Sequence, residues 1–373
     1  MLNADFSPMD YLGRQNHLRE ALREVRLDAL LVTHLQNIRY LCGFTGSAGA
    51  LLITGGASAF FTDGRYTQQA GTEVQGARLV IAKKGPLAAV TGWLGRKRST
   101  IRAAKSQNLG VEGQYLTVAA RRSVSEELPK NFQLREAPPL IEQARMVKDE
   151  EEIRAIRAAV ARGSELFNSA LRVIRPGVRE VEVAAEMEYA ARQAGAEAMA
   201  FETIIASGAR SALPHGRASS TAIVSGAFVV CDFGVILHGY CSDRTRTVYV
   251  GAATVEARRV YDAVLASQQA AIDAVRPGVK VARIDQAARK TLQQNGLAQY
   301  FTHSTGHGVG LEIHEAPRVA RGQQEVLRPG MVITIEPGVY LPGKWGVRIE
   351  DMVVVTEQGC EVLTPTQKEF IVI

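Results

Sequence analysis

Three of the seven histidines of the chain stand together in "HSTGHGVGLEIHE", residues 303–315. His303, His307 and His314 are spaced four and seven residues apart, as zinc-binding histidines on one face of an α-helix would be. The three glycines between them oppose a helix, because each costs it up to about 1 kcal/mol. Two interpretations follow: all three histidines bind a metal, or one does and the others serve another purpose.

Two aspartates lie in an apolar hairpin, "FVVCDFGVILHGYCSDRTRTVYVG" (228–251). If its loop has an even number of residues centred between positions 237 and 238, Asp232 lies directly opposite Asp243. Their Cβ atoms would then be about 4.5–5.5 Å apart. Two carboxylates at that distance repel each other unless a cation lies between them or one is protonated. Alternatively, one aspartate caps a turn and the other pairs with Arg244 or Arg246.

A second acidic pair lies in "MVITIEPGVYLPGKWGVRIEDMVVVTE" (331–357). Glu336 ends an apolar strand, Glu350 is predicted in the next strand, and Arg348 lies two residues earlier on the same face. Arg348 could be an ion-pair partner only, but a strand rich in Val and Ile predicts burial, and buried acidic groups require a cation.

These carboxylates and the histidine cluster suit a hard or borderline divalent ion such as Mn²⁺, Co²⁺ or Zn²⁺. Four carboxylates exceed the needs of one ion but suit two ions roughly 3.5–4 Å apart, which lower the pKa of a shared water. Metal-assisted hydrolysis is therefore the predicted reaction class.

The elements that would position these residues fall into two regions. Residues 1–140 alternate helical and strand patterns, which predicts a small α/β domain around a largely parallel sheet, and "EAPPL" (136–140) predicts its end. Downstream, residues 173–195 align without a gap with residues 274–296, at an offset of 101 residues. Each copy follows a long helix, so we expect one domain of two similar halves with a site at their junction.

Composition restricts the function classes. The net charge of +6 comes from residues 1–140, whose one dense basic run is "GRKRS" (95–99) without interleaved aromatic residues, so no nucleic-acid partner is predicted. No apolar run reaches the roughly 20 residues that span a bilayer. Four scattered cysteines indicate neither disulfides nor a zinc ribbon. We therefore expect a cytoplasmic protein without a membrane partner.

The quoted segments resemble the pita-bread metallopeptidases: Xaa-Pro aminopeptidase, prolidase and, more remotely, methionine aminopeptidase. The resemblance covers nearly the whole chain. It implies a creatinase/prolidase-like N-terminal α/β domain (1–140) and an α+β pita-bread catalytic domain with an internal pseudo-two-fold repeat (141–373). It also implies five metal ligands, which in chain order are Asp232, Asp243, His307, Glu336 and Glu350.

Within this resemblance, Asp243 and Glu350 bridge two ions, and Glu336 is both ligand and proton shuttle. His215, in "LPHGRAS", and His314 take catalytic and substrate-binding roles, His303 lines the substrate pocket, and Arg348 contacts a ligand. This division leaves His307 as the one metal-binding histidine of its stretch. Tyr240 and Trp345 could line a proline pocket or pack in the core, and we expect Tyr240 to bind substrate.

The implied activity is hydrolysis beside proline, with a bridging hydroxide as nucleophile. The stretch 201–219 resembles the Xaa-Pro aminopeptidase branch more closely, and the Xaa-Pro dipeptidase, prolidase, is the alternative. The expected cofactors are two divalent ions, Mn²⁺ foremost and otherwise Co²⁺ or Zn²⁺; the expected partners are proline-containing peptides and further copies of the chain in a homodimer or homotetramer. Two rivals are a non-peptidase hydrolase or lyase and a non-enzymatic binding protein on the same scaffold.

Overall fold

The computed structural model describes residues 9–96, 106–364 and 366–373. The chain divides into two compact units, one ending at Arg145 and the other beginning at Met146. The basic run predicted as a solvated face lies outside the described residues from position 97 onward. Every helix within the described ranges is too short or too polar to cross a membrane.

The first unit is built on a mixed sheet. Its described elements are α1 (Tyr11–Glu24), β1 (Ala29–Val32), α2 (Leu35–Cys42), β2 (Ala50–Thr54), β3 (Ser58–Asp63), α3 (Thr67–Glu73), β4 (Arg78–Ala82), α4 (Pro86–Arg96), β5 (Gln107–Glu112), α5 (Val118–Glu127), β6 (Phe132–Ala137) and α6 (Leu140–Arg145). The strand order is β4-β3-β2-β1-β5-β6. The sheet is largely parallel, as predicted: only β2 runs antiparallel to its neighbours, β1 and β3, and it forms a hairpin with β3.

The second unit places four long helices against several largely antiparallel sheets. The helices are α7 (Glu150–Val173), α8 (Glu180–Gln193), α9 (Val255–Asp273) and α10 (Val281–Gln294). The strands are β7 (Ala198–Met199), β8 (Ile204–Ser207), β9 (Ala227–Phe233), β10 (Val235–Leu237), β11 (Tyr240–Cys241), β12 (Arg244–Val250), β13 (Gly306–Gly308), β14 (Glu315–Val319), β15 (Val332–Ile335), β16 (Gly338–Leu341), β17 (Trp345–Arg348), β18 (Asp351–Val355), β19 (Cys360–Val362) and β20 (Ile371–Val372).

The repeat predicted from the sequence is present in this unit. Helices α8 and α10 begin and end 101 residues apart. Gly177 and Gly278 precede them with φ of 88° and 82°, the left-handed conformation that glycine adopts at least cost. Each of the two glycines donates its backbone N–H across 2.9 Å to a carbonyl of its own half, that of Ile223 and that of Leu327. The two halves therefore share one local design.

The side chains of the main strands separate a helix face from an inner face. In β9, Val229, Cys231 and Phe233 pack in the core of the first half, whose helical members come from α7 and α8, so Asp232 points away from those helices. In β15, Ile333 and Ile335 pack in the core of the second half with α9 and α10, which leaves the alternate positions on the opposite face. The predicted acidic residues thus face the junction of the two halves.

Candidate metal centre

The first half contributes Asp232 and Asp243, but not in the register considered above. Strand β9 pairs with β12 so that Asp232 lies opposite Thr245. The turn is centred between His238 and Gly239, one residue later, because these two residues adopt the positive φ of 51° and 82° that a two-residue hairpin turn requires. Asp243 lies just before β12, and burial followed by the negative charge of the nearby Asp232 raises its pKa.

The second half contributes Glu336 and Glu350. Glu336 follows β15 directly, as predicted, but Glu350 lies between β17 and β18 rather than within a strand. Its backbone N–H donates to the carbonyl of Thr245 across 3.1 Å, in the other half, instead of joining a ladder of its own sheet. The four carboxylates therefore occupy corresponding places: Asp232 and Glu336 at the ends of outgoing strands, Asp243 and Glu350 before the returning strands.

His307 is the histidine that meets these carboxylates. It lies in β13, and its Nδ1 donates to the Gly308 carbonyl across 3.0 Å, so Nε2 keeps its lone pair. Nε2 is 3.5 Å from Asp243 Oδ2 and 3.5 Å from Glu336 Oε1. Burial lowers the pKa of His307 to about 4, so the imidazole is neutral at physiological pH. A neutral nitrogen lone pair facing two carboxylates is an arrangement that a cation would stabilise.

Asp243, His307 and Glu350 form a compact group of potential ligands. One ligand atom from each lies within 4.8 Å of the others. Burial, followed by the charges of neighbouring carboxylates, raises the pKa of Asp243 and of Glu350 well above the usual range. Burial also raises the pKa of Glu336 to about 8. Several buried carboxylates whose pKa values are raised by burial and by each other's charge are typical of cation-binding sites.

The hydrogen bonding of Asp232 indicates whether a cation would fit this site. Its Oδ2 accepts a hydrogen bond of 2.6 Å from Arg348, whereas Oδ1 is buried with no hydrogen-bond partner among the described residues. A buried carboxylate oxygen left unpaired is costly, and metal coordination removes that cost. The oxygen-rich donor set with one imidazole therefore fits divalent ions.

Arg348 fixes the geometry behind Asp232. Its guanidinium also donates to Tyr340 Oη across 2.7 Å, to Thr245 Oγ1 across 3.0 Å and to the Pro214 carbonyl across 3.0 Å. Thr245 Oγ1 in turn donates to Glu350 Oε2 across 2.7 Å. One buried arginine thus links carboxylates of both halves and holds the residue that precedes His215.

Tyr340 is a member of this network that sequence reasoning missed. His303 Nδ1 donates to the Ser304 carbonyl, so His303 Nε2 accepts from the Tyr340 hydroxyl across 2.8 Å. Burial lowers the pKa of His303 to about 3 and raises that of Tyr340 to about 12. Both groups are therefore neutral near pH 7, and His303 contacts Tyr340 rather than a carboxylate. The position of Tyr340, four residues after Glu336 beyond a Pro-Gly turn, was the available signal.

His215 and His314 are exposed at this site. The ring of His314 packs edge-on against that of His307, with centroids 4.3 Å apart. Burial and the neighbouring His215 lower the pKa of His314. Two accessible imidazoles beside the carboxylates could contact a ligand from outside.

Tyr240 and Trp345 lie elsewhere. Tyr240 is buried, and its hydroxyl donates to Glu152 Oε1 on α7 across 2.9 Å. Trp345 packs in the core of the second half against Phe228, with ring centroids 5.0 Å apart. Core packing, the alternative considered for both, accounts for these contacts. The substrate-binding role expected for Tyr240 has no geometric support, because its hydroxyl is directed to a helix.

Arg318 is a second residue that sequence reasoning missed. It lies opposite His307 in the antiparallel pair of β13 and β14, so the two side chains project from the same face. Its side chain is exposed, and no ion pair of Arg318 occurs within the described part of the chain. Arg318 therefore brings a positively charged side chain to the strand position paired with His307. Sequence alone could not indicate this, because the register shifts by a bulge after His307.

We expect the metal-free protein to lose stability as the pH rises from 6.5 to about 8. The unfolded chain ionises its carboxyls near pH 4.5, whereas the folded protein keeps Glu336 protonated up to about pH 8, so stability present at low pH is lost across this interval. The buried His303 and His307 oppose this loss in part up to about pH 7.5, because the unfolded chain still protonates some of its histidines there while the folded protein keeps both neutral. The raised pKa values of Asp243 and Glu350 add to the loss, so the net change remains a fall. Thermal unfolding of chelator-treated protein measures the effect. A midpoint that rises between pH 6.5 and 8 would contradict it.

Two family descriptions match the chain. Residues 154–357 match "Metallopeptidase family M24", and residues 14–147 match "Creatinase/Prolidase N-terminal domain". The first match spans the four carboxylates and His307, and its description implies the divalent ions that these residues fit.

Relatives and solved structures resemble the chain over nearly its full length. A Pyrococcus horikoshii protein named Xaa-Pro dipeptidase is 37% identical, over 92% of this chain and 95% of its own. The structure of an Xaa-Pro dipeptidase from Bacillus anthracis is 38% identical with a TM-score of 0.92, covering 98% of this chain and 100% of its own. An X-Pro aminopeptidase from Thermotoga maritima is 36% identical with a TM-score of 0.86, covering 95% and 100%.

Proposed function

Because the chain belongs to metallopeptidase family M24 and has the α/β and pita-bread arrangement of its relatives, we propose that it is an Xaa-Pro dipeptidase. Relatives named Xaa-Pro dipeptidase support this proposal over the aminopeptidase activity favoured by residues 201–219. A relative named X-Pro aminopeptidase keeps that activity as the second candidate.

The observation that carries the choice is the position of Arg318. A dipeptidase must bind the free carboxylate that follows proline, and a longer peptide has no charge at that place. Arg318 projects beside His307 from a neighbouring strand, with its guanidinium available to a carboxylate. Arginine binds carboxylates through two parallel hydrogen bonds, which gives both charge and direction.

For the metal centre we propose two divalent ions, which would be held by the four carboxylates of Asp232, Asp243, Glu336 and Glu350 together with His307. Bound there, the ions would polarise the scissile carbonyl and lower the pKa of a water molecule. We propose Mn²⁺ first, with Co²⁺ and Zn²⁺ as alternatives, because oxygen ligands dominate the site.

The chain's own residues would perform the remaining steps. His215 and His314 would donate hydrogen bonds to the carbonyl oxygen as negative charge develops on it. Glu336 would accept the proton of the attacking water and return it to the proline nitrogen as that nitrogen leaves. Arg348 touches no reacting atom in this scheme and positions Asp232 and Glu350.

Assays on Xaa-Pro dipeptides and Xaa-Pro-Yaa tripeptides test the proposal. We expect kcat/KM to be higher for the dipeptide by about 10–100-fold, the worth of a charged hydrogen bond. Arg318→Met should raise KM for the dipeptide by a similar factor and leave hydrolysis of the tripeptide unchanged. The reaction should be measured with Mn²⁺, Co²⁺ and Zn²⁺ in turn.

Arg321→Met is the matched control, since Arg321 is an exposed arginine beyond the end of β14. It should leave both reactions unchanged. Equal hydrolysis of both substrates by the unaltered protein, insensitive to Arg318→Met, would instead establish the aminopeptidase. If the protein binds no divalent ion and cleaves neither substrate, the peptidase proposal is wrong. The two alternatives, a non-peptidase hydrolase or lyase and a binding protein, would then be favoured.

A further inference from the structure

Arg246 is a buried arginine directly behind the carboxylates. It follows Thr245 in β12, and its side chain is 1% exposed. Its guanidinium donates to Asp351 Oδ1 across 2.8 Å and also to four backbone carbonyls, which belong to Thr245, Glu350, Thr366 and Gln367 at 2.9, 2.5, 2.7 and 3.1 Å. All of its donor nitrogens are therefore used.

Glu350 depends on these contacts because no strand holds it. Its N–H donates to the Thr245 carbonyl, its carboxylate accepts from the Thr245 hydroxyl, and its own carbonyl accepts from Arg246. Thr245 and Arg246 belong to the first half of the unit, whereas Glu350 belongs to the second. Arg246 therefore closes a three-point attachment of Glu350 across the junction.

Asp351 anchors Arg246 to the end of the chain. This carboxylate is fully buried and accepts from Thr364 Oγ1 across 2.6 Å and from Gln268 Nε2 across 2.8 Å. Lys368 Nζ lies 2.9 Å from Asp351 Oδ2. Thr364 and residues 366–368 thus pack behind Glu350 through charged and polar contacts.

A buried ion pair is weak support for stability, because the desolvation of both charges offsets their attraction. The contacts of Arg246 instead fix the backbone of Glu350 relative to the other three acidic residues of the cluster. We propose that the Arg246–Asp351 pair is a positioning device that holds Glu350 in place for divalent metal binding. This inference rests on the metal centre of the proposed function, and it concerns affinity for the ions rather than the reaction.

Three variants separate positioning from folding. Arg246→Met alone would leave Asp351 buried beside a weaker partner, so the double variant Arg246→Met/Asp351→Asn removes both charges together. Arg246→Lys keeps a charge for Asp351, but a single ammonium cannot reach all the acceptors of the guanidinium. Arg145→Met is the matched control: Arg145 is also buried, in the first unit, where it donates to Asn37.

Chelator-treated protein is titrated with Mn²⁺ by calorimetry, and thermal unfolding is measured without metal. We expect the double variant to fold but to unfold at a lower temperature than the unaltered protein, because four backbone carbonyls lose their donor, while its affinity for at least one Mn²⁺ falls at least tenfold. Arg246→Lys should lose affinity in the same direction. Arg145→Met should lower the unfolding temperature without changing Mn²⁺ affinity.

Unaltered Mn²⁺ affinity in a folded double variant would overturn the inference. If the double variant does not fold, Arg246→Lys decides by the same comparison. A failure of the unaltered protein to bind any Mn²⁺, Co²⁺ or Zn²⁺ would overturn the proposed metal centre, and this inference with it. Normal metal binding without peptidase activity would remove the proposed reaction and leave the positioning role standing.

Discussion

Replacing Glu336 with glutamine is expected to lower turnover by about 10²–10⁴-fold while the protein keeps its divalent ions. The amide retains an oxygen that can ligate, but it cannot accept and return a proton. In the metal-free protein, burial raises the pKa of the Glu336 carboxyl to about 8, and a bound cation would keep it ionised and able to accept a proton. Its Oε1 lies 3.5 Å from His307 Nε2, within the cluster. The measurements are kcat on a dipeptide and metal content after dialysis.

The control for this variant is Glu256→Gln. Glu256 is a half-exposed partner of Lys344 at 2.6 Å, so the same substitution there removes a surface charge only. Its kcat should match that of the unaltered protein. If Glu336→Gln retained substantial turnover with both ions bound, the proton-carrying role assigned to Glu336 would be wrong.

Arg348→Met is expected to lower the free energy of unfolding by about 3–5 kcal/mol, because it leaves Asp232 buried without its partner. The same change releases Tyr340, Thr245 and the Pro214 carbonyl from their common donor. Since the segment before His215 then shifts, kcat/KM should fall by roughly 100-fold. Denaturant unfolding in metal-free protein and steady-state kinetics with metal measure the two effects separately.

Tyr340→Phe is the matched comparison, since it removes one hydroxyl from the same network and no charge. About 1–3 kcal/mol of stability should be lost, since the hydroxyl makes two hydrogen bonds, one from Arg348 and one to His303. Equal stability losses in the two variants would show that the contact between Arg348 and Asp232 contributes little.

Sequence reasoning predicted the parts of the site that depend on local patterns. Apolar runs placed Asp232 in a buried strand and Glu336 at the end of another, and the glycines of residues 303–315 correctly opposed a helix. The repeat at an offset of 101 residues predicted two halves with matched helices, because its signal is carried by turns and helix ends within each copy.

The parts that were missed depend on pairing between distant segments. The hairpin register depends on the backbone of His238, which adopts a positive φ. The residue type alone does not predict this conformation. Arg348 reaches Asp232 across 116 residues, and Tyr340 meets His303 across 37. Periodicity gives the face on which a side chain lies but not its partner on that face, so Arg318 and Tyr340 emerged only from the coordinates.

The two halves of the catalytic unit have corresponding carboxylates, but the strands next to those carboxylates differ in sequence. Strand β8 of the first half carries Ile204, Ile205, Ala206 and Ser207, whereas β13 of the second half carries His307 and is flanked by β14 with Arg318. A symmetric set of carboxylates would accept a peptide in either orientation. In the proposed enzyme, the polarity of the bound substrate, from amino end to carboxyl end, would therefore be set by the hairpin of β13 and β14, which has no counterpart beside β8 among the described residues.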